Sequence, residues 1–168
     1  LWYNDRRIAR GVRHLEKASV KVMARNREAY HEYFVEEEIE AGIELVGTEV
    51  KSIRAGTVNL KDSFCTVKNG ELFAYGIHIS PYEHGSIYNR DPDRPKRLLM
   101  HRREITKLYA RTKQDGLTLV PLSLYFKDSR VKVELGLCKG KKLYDKRDAD
   151  AQRSAKREID RTIKEKNY

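Results

Sequence analysis

Cysteine is scarce. Cys65 and Cys138 are the only two in 168 residues, and no Cys-x-x-Cys pair exists. A cysteine-built zinc or redox motif is excluded, nothing calls for an oxidising compartment, and both thiols read as small buried hydrophobes in strand-like runs. Long apolar runs are absent too. None approaches the roughly 20 residues of a membrane-spanning helix and no signal-peptide pattern is visible, so no membrane partner is expected and the expected address is cytoplasmic. The five histidines, His14, His31, His78, His84 and His101, lack the H-E-x-x-H spacing of a metal site. Gly136-Leu137-Cys138-Lys139-Gly140-Lys141-Lys142 is one residue short of a phosphate loop and lacks the Ser or Thr that should follow its lysine. Glu36-Glu37-Glu38 and Glu40 are the one carboxylate run that could hold magnesium in an RNA-processing enzyme. Neighbours on a strand face opposite ways, so a solvated face is the better reading, with one carboxylate free to accept from RNA. No catalytic residue, cofactor or metal is expected.

Positive charge is what the chain has in excess, and it is unevenly placed. Residues 1–27 hold eight basic and two acidic side chains, and residues 139–168 hold eleven and six. The middle, residues 28–138, is left with sixteen basic and seventeen acidic residues, a net of −1 within a total of +10. A near-neutral body with two basic ends suggests a polyanionic partner, nucleic acid ahead of a membrane surface. Solvated termini on an ordinary soluble protein are the alternative.

Strand-like alternation begins near Tyr30 and continues through Val35 to Val46, which reads as two strands turning at Gly42. Thr48 offers an N-cap and Gly56 a C-terminal cap, so residues 48–55 read as a short helix. Asn69-Gly70 between alternating runs at 63–68 and 71–75 predicts a tight hairpin. A short strand at 76–80 precedes a long polar loop over 82–96. Residues 97–113 read as a helix with Ile105, Leu108 and Tyr109 inward. Residues 117–126 and 131–138 read as strands joined by Lys127-Asp128-Ser129-Arg130, with Pro121 at an edge or bulge.

The fold class expected from this pattern is mostly β, a closed barrel of about six strands of the oligonucleotide-binding (OB) type, with short flanking helices and a basic C-terminal tail. Three parts follow: a mobile basic arm over 1–25, an RNA-binding body over 26–138, and a tail over 139–168. In the tail Ala151, Ala155, Ile159 and Ile163 make a stripe at every fourth residue. It is too thin to hold a helix firmly in water, so the tail is expected to be disordered alone and helical when bound.

Residues 90–113 carry nine basic and three acidic side chains beside Tyr82, Tyr88, His101 and Tyr109. Cations for phosphates and flat rings for stacking are what RNA binding uses. Several ordered motifs are then similar to those of one family. They are Asn26-Arg27, His31-Glu32-Tyr33-Phe34, Glu40-Ala41-Gly42-Ile43 and Gly47-Thr48-Glu49-Val50-Lys51-Ser52-Ile53-Arg54-Ala55-Gly56. Leu98-Leu99-Met100-His101-Arg102-Arg103-Glu104-Ile105, Val120-Pro121-Leu122-Ser123-Leu124-Tyr125-Phe126, Gly140-Lys141-Lys142 and Asp145-Lys146-Arg147 complete the set. Over residues 21–164 the chain resembles the small protein B family, the bacterial partner of transfer-messenger RNA (tmRNA, also SsrA). The family often has Asp where Glu32 stands, and Asn is also common at the position of His101.

The resemblance implies an OB-type body that binds the tRNA-like domain of tmRNA and brings it to ribosomes stalled on messages without a stop codon. Glu40, Leu99, His101, Arg102 and Arg103 are the expected tmRNA-binding residues. The body would mimic the missing anticodon arm. Gly140, Lys141, Lys142, Tyr144, Asp145, Lys146 and Arg147 would lie at the small-subunit decoding centre, Tyr144 stacking on a ribosomal base. The tail, with Ile159 and Ile163, would fill the empty mRNA channel. The expected partners are tmRNA and the ribosome, with the protein a monomer on the RNA. A general RNA-binding translation factor or ribosomal protein of the same barrel type is the alternative.

Overall fold

A computed structural model describes residues 19–166, in which alternating apolar and polar positions build nine strands and a helical minority. In chain order these are β1 (Val20–Arg25), α1 (Arg27–Glu32), β2 (Tyr33–Ile43), α2 (Gly47–Arg54), β3 (Val58–Asn59), β4 (Phe64–Lys68), β5 (Glu71–Tyr75), β6 (His78–Ile79), β7 (Lys96–Leu99), α3 (Arg102–Gln114), β8 (Thr118–Lys127), β9 (Arg130–Gly140) and α4 (Leu143–Lys166). The hydrogen-bonded order β8-β4-β5-β7-β2-β9 returns to β8, so six strands form a ring. β1 joins it along the second half of β8, and β3 pairs with β6 in a separate two-stranded ribbon.

The ring closes because β8 turns from one neighbour to the next. Its start pairs with β4 at Leu119, and residues 123–127 pair with β1. Between them lies Pro121, next to a register shift against β9. A residue with no N–H to give to the ladder belongs at such a bulge. Inside the ring Leu72, Ala74, Leu98, Leu119, Leu124, Val133, Leu135 and Leu137 are all at most 2 % exposed. Ile53 of α2 and Ile105 and Leu108 of α3 pack onto the same core. Burial of each such side chain stabilises the fold by about 1.5–3 kcal/mol. A second, smaller cluster of Ala29, Val120, Leu122 and Cys138 lies beneath α1. Both cysteines are buried, and the loss of hydration pushes the Cys138 thiol up to about 11.

Both hairpins form as the sequence reads. Asn69 (φ 54°) and Gly70 (φ 76°) take the left-handed pair of angles between β4 and β5. α2 also forms, ending where Gly56 adopts φ 82°.

Five expectations are corrected. The mobile arm read over 1–25 ends earlier, since Val20–Arg25 is a strand paired to β8 with Met23 and Ala24 against the core. Residues 1–18 of that arm lie outside the described residues. Gly42 makes no turn: β2 runs straight through it, and residues 27–32 before β2 are helical, capped by the buried Asn26. The Asn26 side chain accepts from Ala29 N and donates to the Pro121 carbonyl, both at 3.1 Å. The helix read over 97–113 starts at Arg102, because Lys96–Leu99 is spent as β7 between β5 and β2. Tyr109 faces outward and is 45 % exposed.

Candidate nucleic-acid interface

β7 is short, but it orders everything around it. Its burial alternates, with Lys96 and Leu98 inside and Arg97 and Leu99 outside. Lys96 is fully buried, its ammonium donating to the carbonyls of Ile77 (2.6 Å), Pro92 (2.9 Å) and Arg94 (3.1 Å). Desolvation holds its pKa below the ordinary lysine value. Next to it Arg94 grips the buried Glu49 with two hydrogen bonds, Nε to Oε1 at 2.8 Å and Nη2 to Oε2 at 2.6 Å. The loop leading into β7 is thereby pinned to α2.

Leu99 ends β7 with half its surface exposed, directly across from Gly42 of β2. A Cβ on Gly42 would sit 3.1 Å from the Leu99 Cβ, so glycine is what lets Leu99 lie flat across β2. Two residues before Gly42, and so on the same outer face, is Glu40. Its carboxylate accepts from the Tyr125 hydroxyl at 2.5 Å and from Lys127 Nζ at 3.1 Å. The Tyr125 hydrogen bond, then Lys127, holds the Glu40 carboxyl below its usual range despite partial desolvation. The charge is therefore fixed, and because Oε2 accepts from both Tyr125 and Lys127, the free lone pair is on Oε1. Tyr125 and Lys127 are residues that the sequence reading missed. Their outward alternation on β8 was the available signal.

His101 precedes α3, and its backbone N–H donates to Glu104 Oε2 at 3.1 Å. Arg102 and Arg103 follow in the first turn, exposed, and pair with no carboxylate among the described residues. Both sit at the positive end of the helix dipole, where a cation costs stability unless an anion meets it. The other basic residues of 90–113 are less free than their count suggests. Arg94 and Lys96 are structural, Arg97 pairs with Glu44 and Glu71, and Arg111 pairs with Glu36, Glu37 and Asp115. A bulge between Val35 and Glu37 turns both Glu36 and Glu37 toward Arg111, which accounts for most of the acidic run. Among the described residues no group of three or more His, Cys, Asp or Glu could hold a metal ion, and no helix is long and apolar enough to cross a membrane.

The second set of residues lies at the other end of β2. Gly140 pairs with Tyr33, whereas Leu99 pairs with Gly42, nine residues away, which is about 30 Å along the strand. Lys141 donates from its backbone to Glu32 O (2.9 Å) and from Nζ to Tyr30 O (3.0 Å), and lies 4.9 Å over the Phe34 ring. Asp145 accepts from Lys142 N at 3.1 Å and so caps α4. Lys146 reaches Glu32 at 3.9 Å, and His31 Nε2 meets Asp150 at 2.9 Å. That contact, with His31 the main cause, holds the Asp150 carboxyl below its usual range. Beyond it α4 touches little: residues 150–165 are exposed throughout. Tyr144 is 60 % exposed, Ile159 59 % and Ile163 53 %, and Lys142 and Arg147 also face solvent.

Comparison with known proteins bears on both ends. A family model described as SmpB protein matches residues 23–165. The SsrA-binding protein of Acetivibrio thermocellus is 62 % identical over 151 residues, 90 % of this chain and 98 % of that one. The SsrA-binding protein of Clostridium novyi is 60 % identical over 144 residues, 86 % of this chain and 92 % of the other. Among solved structures, a chain from "tmRNA-SmpB: a journey to the center of the bacterial ribosome" superposes with TM-score 0.61 at 49 % identity, covering 71 % of this chain and 85 % of that chain.

Proposed function

Because the chain belongs to the SmpB protein family, we propose that it binds the tRNA-like domain of tmRNA and delivers it to ribosomes stalled on messages without a stop codon. The observation that carries this reading is likeness at 62 % identity, across body and tail alike, to a protein named for SsrA binding. The solved tmRNA-SmpB structure, set in the bacterial ribosome, supports the ribosome as second partner. The protein works in the cytoplasm by shape and charge, and no catalytic step is assigned to it.

The six-stranded ring supports a barrel of the OB type, the sort of scaffold that presents one face to nucleic acid. On that face Glu40, Leu99, His101, Arg102 and Arg103 bind the tmRNA. Arg102 and Arg103 meet phosphates, Leu99 gives an apolar contact, and the charged Glu40 accepts from a base or ribose donor. At the far end Gly140, Lys141, Lys142, Tyr144, Asp145, Lys146 and Arg147 occupy the decoding centre. The rest of α4, with Ile159 and Ile163, enters the mRNA channel. The separation along β2 suits an adaptor that holds one RNA and reaches into another. The helix α4 is the form that the tail takes when bound, and the tail alone is disordered.

The experiment is a binding titration against the tmRNA tRNA-like domain, an ordinary tRNA and a single strand across a salt series. Selective binding to the first that survives moderate salt is the expected result. Equal binding to all three that collapses with salt would mean that the basic ends act alone through phosphate contacts, and the reading fails.

A further inference from the structure

The long loop between β6 and β7 holds a second site that the residues assigned above do not use. It bounds a cavity of about 550 Å³ against the first turn of α2, lined among others by Lys51, Tyr82, His84, Ile87, Tyr88 and Arg90. No acidic residue lines it. Glu49, the nearest carboxylate on α2, is turned to Arg94. Among the described residues Lys51 and Arg90 pair with no carboxylate, and Lys51 Nζ lies 5.4 Å over the Tyr82 ring. The His84 ring meets Tyr82 edge-on at 5.5 Å.

The loop is built rather than slack. The Asn89 side chain accepts from Tyr82 N at 3.0 Å and donates to Tyr82 O at 2.9 Å, which closes the loop on itself. Gly85 N also donates to Tyr82 O, at 2.8 Å, and Thr48 Oγ1 ties Tyr88 O to α2 at 3.1 Å. A Cβ on Gly85 would run into Asn89 Oδ1, in a side chain locked by both of those bonds, so the closure requires glycine there. Ser86 is held at φ 44°, a left-handed conformation that a non-glycine residue adopts at a cost. This framework supports a short 3-10 turn, Ser86–Tyr88, whose Tyr88 is 74 % and Ile87 85 % exposed. A loop ordered by that many internal bonds, and then used to hold an aromatic ring in water, is pre-organised for something that stacks.

We infer that this cleft binds one unpaired nucleotide of RNA, its base stacked on the exposed Tyr88 ring beside the half-buried Tyr82 and its phosphate held by Lys51 and Arg90. The inference rests on the RNA-binding reading above and adds a second contact surface to it. Rings beside unpaired cations, with no carboxylate in the lining, favour a nucleotide over an apolar peptide. The nucleotide belongs either to tmRNA or to ribosomal RNA.

The test uses the full chain with Tyr88→Ala, Tyr88→Phe and Lys51→Gln. One arm measures affinity for the tRNA-like domain of tmRNA, and the other measures association of the protein–tmRNA complex with stalled ribosomes. Tyr88 gives the loop only its backbone N–H and carbonyl, and the Lys51 ammonium makes no hydrogen bond among the described residues, so melting temperatures should not move. Tyr88→Ala should weaken one arm about five-fold or more, while Tyr88→Phe stays within about two-fold of the parent. Lys51→Gln should weaken the same arm and lower its salt slope by about one. Loss in the first arm assigns the nucleotide to tmRNA, and loss in the second arm alone assigns it to ribosomal RNA. No change beyond about two-fold in either arm overturns the proposal, and a cleft made for a protein partner would give that result. Failure of the underlying reading looks different: the parent protein itself then binds neither RNA, and the cleft proposal falls with it.

Discussion

Lys96 is the residue most at odds with its position. An ammonium at 0 % exposure is tolerable only because three carbonyls take its three protons, and each of those belongs to the segment that the lysine organises. Lys96→Met keeps the aliphatic bulk and removes the donors. Buried acceptors left unpaired cost about 1–3 kcal/mol each, partly offset because the cation no longer has to be desolvated. We expect unfolding free energy to fall by about 2–4 kcal/mol, which is a melting temperature lower by about 5–15 °C in a chain of this size. Lys68→Met, at the exposed end of β4, should change stability by no more than about 0.5 kcal/mol. Calorimetry on the two variants decides the point, and equal small losses would mean that Lys96 is incidental. A buried lysine cannot be found by composition, which counts it with the RNA-facing cations. Leu99 is the same error in reverse, an apolar side chain that hydropathy would put inside. The two lie on one four-residue strand, which the sequence reading divides between the end of the loop at Lys96 and the start of the helix at Arg97.

At the scale of elements, what was legible followed local chemistry, and what was not followed pairing. Asn69-Gly70 dictates its own hairpin, and Lys127-Asp128-Ser129-Arg130 joins two clear alternations, so β4–β5 and β8–β9 could be read directly. Gly42 looked like a turn because glycine between apolar runs usually is one. Its role appears only once β7 lies alongside β2, a contact between residues more than fifty positions apart. Glu40 and Leu99 could be placed on one face only by that same pairing; the family resemblance named them, and the strands show why they sit together. The junction is open to test. Gly42→Ala puts a methyl 3.1 Å from the Leu99 Cβ, so β7 must shift outward by a few tenths of an ångström at its end. Stability should drop by no more than about 1 kcal/mol, whereas tmRNA affinity should fall several-fold as Leu99 is lifted off β2. Thermal melts paired with titration of the tRNA-like domain separate the two effects. A large stability loss with unchanged affinity per folded molecule would contradict the role given to that surface.

For the whole molecule, the question is whether the body and α4 do separable work. The contacts between them are polar and half-exposed: His31 with Asp150, Lys146 with Glu32, and Lys141 with the Tyr30 carbonyl and the Phe34 ring. Pairs of this kind contribute little to stability and are screened by salt. Ending the chain after Lys139 removes them together with the Gly140 end of the β9–β2 ladder, and leaves the Gly42–Leu99 junction untouched. The truncated protein should therefore fold, and should bind the tRNA-like domain within about three-fold of the full chain at moderate salt. At low salt it should lose more, because the tail is a net cation that attracts any polyanion at long range. Release of stalled ribosomes should be abolished, since nothing then reaches from the RNA-bound body into the empty channel. A truncated form that rescues normally would show that α4 is dispensable. One that folds but no longer binds tmRNA would show that the tail, and not the outer face of β2, holds the RNA. Either result would break the division that the length of β2 suggests.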